Sequence, residues 1–144
     1  LKLFNVFRKR DKNVNALISE KSENIKFYYF NESALNGILS QSKVDSLKDL
    51  GYKVINEEFI TTQRLDDILV TFKVPNKTID LLDIDVEGHD FQVLKSIDLN
   101  LFHVKVILIE TGENENSIIK YLSNYNYNIY KKIDRNVFFL KNSL

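Results

Sequence analysis

The sequence predicts an α/β fold with a mostly parallel central sheet and an antiparallel hairpin at its C-terminal end. Two segments, Ile79 to Val86 and Val104 to Glu110, are almost continuously apolar, as expected of strands covered on both faces. Between them, Phe91, Leu94 and Ile97 recur at helical spacing. A strand, a helix and a second strand in this order are typical of a parallel βαβ unit in the middle of a sheet.

The elements before this unit are predicted from shorter patterns. Leu1 to Arg10 carries apolar residues at helical spacing and predicts the end of a helix. Asn13 to Ser19 and Ile25 to Phe30 are β-prone segments on either side of a polar turn, so we expect two strands there. Asn31 to Leu50 is polar with scattered apolar residues, which indicates a loop or a short helix.

A strand and a short helix are predicted next. Tyr52 to Thr61 can form the strand, and Arg64 to Val70 can form the helix, which Thr61 or Thr62 would cap. Pro75 ends this element because the residue before a proline disfavours helical geometry.

The C-terminal part of the sequence predicts a helix and a hairpin. Ser117 to Tyr125 places Ile118, Ile119 and Leu122 on one helical face. The segments Tyr127 to Ile133 and Val137 to Leu140 flank a short polar turn and predict a β-hairpin.

Composition limits the classes of protein. With 144 residues and 44% hydrophobic content, residues 1–144 can form a single domain with a core. Twenty basic residues balance twenty acidic ones, so no overall field attracts nucleic acid. The chain has no cysteine, which excludes disulfides and leaves only His and carboxylate ligands for a metal. No apolar run approaches the length of about 20 residues that a membrane span needs, and we expect a soluble, cytoplasmic protein.

Ionisable side chains gather where the two apolar strands end. Asp85 and Glu87 follow the first strand, Glu110 ends the second, and His89 begins the intervening helix. Because ligands bind beyond the carboxyl ends of parallel strands, these groups predict a site. The carboxylates can accept hydrogen bonds from a ligand, and His89 can take a proton near neutral pH. An alternative is that Glu87 and Asp90 only favour the helix N-terminus, with His89 as a solvated first-turn residue.

The segment IDLLDIDVEGHDFQVLKSIDL resembles the FkbM-type methyltransferases, in which a hydrophobic strand leads into Asp-x-Glu-Gly and a helix with a Val-Leu pair. The resemblance extends upstream to NVNALISEKSENIKFYYF and TTQRLDDIL, and downstream to VKVILIET and DRNVFFLK. It therefore covers most of the chain. The resemblance implies a class I methyltransferase (Rossmann-like) sheet that binds S-adenosylmethionine and transfers its methyl group, usually to a hydroxyl oxygen.

The resemblance also implies roles for individual residues. Asp85 would bind the cofactor, and Ala16 and Leu17 would lie near the adenine. Glu87, His89 and Glu110 are the candidate catalytic residues, any of which can be the base that removes the hydroxyl proton. Asn136 would contact the acceptor, although a turn-forming asparagine is an equal alternative.

The glycine-rich turn of the family's first strand has no counterpart in this sequence. The four glycines, Gly37, Gly51, Gly88 and Gly112, are all far apart, and the acid that would hold the ribose is missing with the turn. The sequence also contains no methionine. We therefore expect an N-terminally truncated methyltransferase domain, which alone binds S-adenosylmethionine weakly or not at all and is inactive.

Two other functions fit parts of the pattern. Asp83 and Asp85, two residues apart at a strand end, could hold Mg²⁺ or Mn²⁺ in a glycosyl- or phosphoryl-transfer enzyme. The second alternative is a methyltransferase-like binding module without catalysis. In either a catalytic or a binding protein, the sheet edge left by missing strands can pair with a second copy, giving a homo-oligomer. The acceptor is expected to be a small molecule or a glycan.

Overall fold

The computed structural model describes residues 2–142. Leu1, from the predicted N-terminal helix, and Ser143 and Leu144 lie outside the described residues. The described part forms five α-helices and six strands, joined by turns and three short 3-10 segments. They are α1 (Lys2–Phe7), β1 (Asn24–Phe30), α2 (Gln41–Asp49), β2 (Val54–Thr61), α3 (Leu65–Thr71), β3 (Thr78–Ile84), α4 (Asp90–Lys95), β4 (His103–Glu110), α5 (Glu115–Ser123), β5 (Tyr127–Ile133) and β6 (Asn136–Lys141).

The larger sheet has four strands in the order β3-β4-β6-β5. The β3-α4-β4 unit is parallel, as predicted, but β6 pairs antiparallel with both β4 and β5. The C-terminal hairpin folds back so that its second strand lies between β4 and β5, and a tight hairpin can only be antiparallel. The prediction of a mostly parallel sheet is therefore wrong, and the sheets of this mixed α/β fold are largely antiparallel.

The core of the larger unit lies between one face of this sheet and the helices α4 and α5. Ile107 and Ile109 face Phe139 and Val137 across the β4–β6 pair, and all four are buried. The two helices cover them with further buried side chains, as their spacing predicts: Val93, Leu94, Ile118 and Leu122. Burial of this apolar surface is the main stabilising term of the unit.

β3 is less covered than its apolar sequence predicts. Ile84 is buried in the core, but Leu81 on the opposite face is 53% exposed. Among the described residues β3 pairs only with β4, so it is an edge strand of the sheet. The expectation that both faces of Ile79 to Val86 are covered is wrong for this strand.

A second, two-stranded sheet consists of β1 and β2, which pair antiparallel. The helix α2 packs against one face of this ribbon, where Tyr28 and Phe30 contact Val44 and Leu47 in a small cluster of their own. The helix begins at Ser40, whose hydroxyl accepts a hydrogen bond from the backbone N–H of Lys43 at 3.3 Å. We call residues 24–61, which comprise β1, α2, β2 and their connections, the cap unit.

The predicted strand Asn13 to Ser19 does not form. This segment makes a single parallel bridge, Ile18 to Gln63, supported by two backbone hydrogen bonds of 2.9 and 3.0 Å. The segment lies beside the start of α3 and has no continuous partner strand in the described part of the chain. Its β-prone composition is therefore not enough to build a ladder.

The predicted threonine cap of α3 is also wrong. The N-cap residue is Arg64, which makes no side-chain capping bond. Instead, the buried Ser96 at the end of α4 accepts a hydrogen bond from Leu65 N–H through its hydroxyl at 3.2 Å, and from Asp66 N–H through its carbonyl at 3.2 Å. Two backbone N–H groups at the start of α3 are thus hydrogen-bonded to Ser96 of a neighbouring helix. A local sequence pattern does not reveal such a partner.

Candidate functional site

The turn between β3 and α4 projects one carboxylate and buries another. The buried one, Asp90, is 4% exposed and accepts hydrogen bonds from the backbone N–H groups of Val86 at 3.0 Å and Gly88 at 2.9 Å. These two bonds fix the path of the chain through Glu87, whose side chain is exposed. Asp90 therefore positions Glu87. This role is more specific than the electrostatic stabilisation of the helix N-terminus considered as an alternative from the sequence alone.

The backbone of this turn is unusual at two consecutive residues. Glu87 has φ of 53° and Gly88 has φ of 97°, both in the left-handed region. For a residue with a Cβ atom this conformation costs about 1 kcal/mol or more. Backbone strain of this kind persists where surrounding contacts enforce it, and it clusters at functional sites. The hydrogen bonds to Asp90 are such contacts.

A polar cavity of about 510 Å³ opens beside this turn. Four parts of the chain form its walls: the segment at the start of α2, the β3–α4 turn, the end of β4 with the loop after it, and the turn of the C-terminal hairpin. Its charged side chains are of both signs, and those that are not buried come from elements far apart in sequence. They are Lys43, Glu87, Glu110, Glu113 and Arg135.

Glu110 is held in this polar cavity by the hairpin turn. Arg135 Nη1 lies 3.6 Å from Glu110 Oε1, and the carboxylate is 23% exposed. The buried Thr111 donates two hydrogen bonds to the Arg135 carbonyl, from its N–H at 2.9 Å and from its hydroxyl at 3.1 Å. The end of β4 and the hairpin turn are therefore tied together, and Glu110 has a defined orientation.

A second, apolar cavity of about 310 Å³ lies on the other side of the turn. Ala16, Leu17 and Ile18 form one wall, and Val86 and Val93 form another. The cap unit closes it with Phe27 and the segment 36–38. A concave site of this size with mainly apolar walls is typical of small-molecule binding.

His89 lines the apolar cavity and is partly buried. Its Nε2 atom lies 3.1 Å from the hydroxyl oxygen of the buried Ser19. Burial lowers the pKa of His89 below its ordinary 6.5, with Lys95 acting in the same direction and Asp90 opposing it. The imidazole is therefore neutral at pH 7 and is not the solvated first-turn residue of the alternative interpretation.

The two cavities meet at two side chains. Glu87, from the β3–α4 turn, and Ile38, from the cap unit, line both cavities. A ligand in the apolar cavity and a ligand in the polar cavity would therefore approach each other beside the Glu87 carboxylate. Such an arrangement suits a reaction between two bound molecules.

The predicted site residues are distributed between these cavities. Glu87 and Glu110 meet in the polar cavity, and Ala16, Leu17 and His89 lie with Glu87 at the apolar one. Asp85 is exposed just after β3, and Asn136 is exposed at the start of β6; neither lines either of these two cavities. For Asp85 and Asn136 a role in binding stays a prediction.

Three residues with clear positions in the site are not singled out by the sequence patterns. Arg135 stands next to Asn136 in the hairpin turn. The sequence patterns pointed to Asn136 of this turn, whereas Arg135 is the residue that lines the polar cavity. Lys43 and Phe27 come from the cap unit, and their approach to the β3–α4 turn depends on tertiary contacts. No local signal could have identified them.

The described residues contain no group of three or more His, Cys, Asp or Glu side chains that could hold a metal ion. Asp83 and Asp85, the pair considered for a metal, are both exposed. Separately, no helix between residues 2 and 142 is long and apolar enough to span a membrane.

Comparison with protein families identifies the chain. The family model described as "Methyltransferase FkbM domain" matches residues 3–129, which is most of the sequence. The chain therefore belongs to the FkbM methyltransferase domain family, as its sequence motifs predict. No curated protein and no solved structure matches the chain. Methyltransferases of this family generally use S-adenosylmethionine.

Proposed function

We propose that this protein is an S-adenosylmethionine-dependent O-methyltransferase that acts on a hydroxyl group of a sugar, a polysaccharide or a secondary metabolite. The family membership supports methyl transfer as the reaction. The observation that carries the proposal is the position of Glu87 on the wall shared by the apolar and the polar cavity. A methyl donor on one side and an acceptor on the other would meet there.

The apolar cavity suits the purine end of the cofactor. Its walls at Ala16, Leu17, Val86 and Val93 offer apolar contacts, and its volume of about 310 Å³ lies within the range of small-molecule sites. The residues of this chain fit that end of the cofactor best. Asp85, which follows β3 and does not line this cavity, keeps its proposed role in binding the cofactor.

The polar cavity suits a hydroxylated acceptor. Carboxylates accept hydrogen bonds from hydroxyl groups, whereas Lys43 and Arg135 can donate to ring or carbonyl oxygens. The ion pair between Arg135 and Glu110 keeps one acceptor group in place before a ligand arrives. Preorganised groups of this kind lower the entropic cost of orienting the substrate.

Glu87 is our candidate for the general base. The bound cofactor supplies a methyl group on a sulfonium centre, which is a strong electrophile. The Glu87 carboxylate would take the hydroxyl proton as the acceptor oxygen gained the methyl group, and the electron pair of the broken carbon–sulfur bond would remain with the sulfur of the cofactor. Transfer to a positioned base contributes about 10²- to 10⁴-fold to such rates.

His89 and Glu110 are the other candidates for the base. His89 lines only the apolar cavity, so it lies on the cofactor side, and Glu110 lines only the polar cavity. Of the three, Glu87 alone reaches both. His89 is proposed to support the β3–α4 turn and the cofactor side, and Glu110 to orient the acceptor.

The first experiment is binding of S-adenosylhomocysteine, measured by calorimetry on this chain and on a form extended to the start codon of its gene. The binding form is then tested with glycan and small hydroxylated acceptors for transfer of an isotopically labelled methyl group. Absence of binding in both forms would contradict the proposal.

The second experiment compares Glu87→Gln with the wild type. The amide keeps the size of the side chain but cannot take the proton, so we expect the transfer rate to fall about 10²-fold or more. Binding of S-adenosylhomocysteine should stay within about twofold. Glu57→Gln, which changes an exposed carboxylate of β2 that lines neither cavity, is the matched control and should leave the rate unchanged. Equal rates for Glu87→Gln and the wild type would exclude Glu87 as the base.

Pairing of two copies through β3 is a separate part of the proposal. The outer edge of β3 has no strand beside it within residues 2–142, so its backbone groups on that side are available to a strand of a second copy. Light scattering of the purified protein measures the oligomeric state. A monomer at micromolar concentration would contradict this assembly.

A further inference from the structure

Phe27 is an aromatic residue of the cap unit that faces away from the unit's own core. Side chains alternate along a strand, so Tyr28 and Phe30 face α2, whereas Phe27 and Tyr29 lie on the opposite face of the ribbon. The Phe27 and Tyr29 rings contact each other with centroids 5.0 Å apart and planes tilted by 59°.

The Phe27 ring is partly buried, yet it belongs to neither of the two hydrophobic clusters among the described residues. It lines the apolar cavity together with Val86 and Val93. The ring of Phe27 therefore lies against Tyr29 at the wall of the cavity. Phe27 contributes little to core packing. An aromatic ring in this position offers a flat surface to a ligand.

Backbone hydrogen bonds hold this part of the cavity wall in place. The N–H of Tyr28 donates to the Gly37 carbonyl at 3.0 Å, and the N–H of Gly37 donates to the Tyr28 carbonyl at 3.1 Å. The Phe30 N–H donates to the Asn36 side-chain oxygen at 2.8 Å. The segment 36–38 is therefore fixed to β1, and Phe27 and Ile38 belong to one wall.

We infer that Phe27 is a ligand-binding residue whose ring contacts the purine of the cofactor, so that the cap unit supplies one side of the cofactor site. This inference rests on the proposed function. The Phe27 ring would cover one face of the planar purine, and the branched side chains of Val86 and Val93, which line the same cavity, would supply further apolar contacts. Stacking of a base on an aromatic side chain typically changes affinity by about 5- to 100-fold.

The test uses Phe27→Ala in the form of the protein that binds S-adenosylhomocysteine, with calorimetric titration of that ligand and of adenosine. We expect both dissociation constants to rise by about 10-fold. The matched control is Phe59→Ala. Phe59 lies on the other face of the ribbon and is 68% exposed, with Lys26 Nζ 5.7 Å from its ring centroid. This control should leave both constants unchanged.

Phe27→Leu keeps the inference testable if the alanine variant is unstable. Leucine retains an apolar side chain on β1 but has no flat ring, so we expect a smaller loss of affinity with an unchanged melting temperature. If the wild type binds both ligands and both Phe27 variants bind them with unaltered affinity, the inference is wrong and the proposed function is left intact. Weaker binding of S-adenosylhomocysteine with unaltered adenosine binding would also overturn it. No binding by the wild type would instead overturn the proposed function.

Discussion

At the scale of single residues, the site depends on side chains whose surroundings differ sharply over a few positions. Glu87 is exposed in a left-handed conformation, Gly88 follows in another, and Asp90 is buried and satisfied by two backbone N–H groups. His89, between them, is partly buried against Ser19. Four consecutive residues of the sequence therefore have four distinct physical roles.

The burial of His89 predicts how stability depends on pH. Its pKa is lowered in the folded protein, chiefly by burial, so the unfolded chain binds the proton more tightly. The free energy of unfolding should then rise with pH through this range. The contribution of neutral His89 to the free energy of unfolding is complete above the unfolded pKa of about 6.5. It is lost as the pH falls through that value toward the lower folded pKa.

We expect His89→Gln to reduce the slope of stability against pH between about pH 5 and 7. Urea denaturation at a series of pH values measures this slope. The matched control is His103→Gln, which replaces the exposed second histidine of the chain. If His89→Gln keeps the full slope of the wild type, the lowered pKa is not the source of the pH dependence.

At the scale of elements, Thr62 joins the cap unit to the rest of the fold. It is fully buried, and its hydroxyl oxygen lies 2.6 Å from the Lys21 carbonyl and accepts a hydrogen bond from Glu23 N–H at 3.0 Å. Its own N–H donates to the Glu23 carbonyl at 2.9 Å, and Ser22 donates to its carbonyl at 3.0 Å. The chain entering β1 and the chain leaving β2 are thereby fastened together.

Thr62→Val removes the hydroxyl but keeps the shape, and it takes this partner from the Glu23 N–H and the Lys21 carbonyl. We expect a loss of about 1–3 kcal/mol in the free energy of unfolding. Thr62→Ser, which keeps the hydroxyl, should recover most of it. Thr61→Val is the neighbouring control, because the Thr61 hydroxyl bonds Asn24 on the surface, and it should change stability by less than about 0.5 kcal/mol. Equal effects at the two threonines would contradict this role of Thr62.

The sequence predicted the elements more reliably than their partners. Ile25 to Phe30, Tyr52 to Thr61, the βαβ unit and the hairpin all form close to the predicted positions, because their periodicity and turns are local properties. The segment Asn13 to Ser19 fails as a strand since strand formation needs a partner of matching length, which β-propensity does not provide.

The site was predictable to a similar extent. Glu87, His89 and Glu110 follow or precede predicted elements, and the rule for strand ends was enough to bring them to one region. Phe27 and Lys43 were missed because they belong to the cap unit, whose position over the β3–α4 turn depends on contacts between residues far apart in sequence. The N–H groups at the start of α3 show the same limit, as their partner Ser96 belongs to another helix.

At the scale of the whole molecule, the described chain has two hydrophobic clusters of unequal size. The larger contains fourteen buried side chains between the four-stranded sheet and its helices, whereas the cluster of the cap unit contains four. Both cavities lie between these two units. Because stability varies with the buried apolar contacts of each region, the cap unit should open at a lower free energy than the larger sheet.

Hydrogen exchange can measure this difference. We expect amides of β4 and β6 to exchange more slowly than those of β1, β2 and α2. Leu47→Ala, in the small cluster, should speed exchange in the cap unit alone, since a buried Leu→Ala change costs about 2–5 kcal/mol. Leu122→Ala, in the larger cluster, should speed exchange in the four-stranded sheet. If Leu47→Ala speeds exchange in β4 and β1 equally, the two units unfold as one, which would contradict the lower opening free energy of the cap unit.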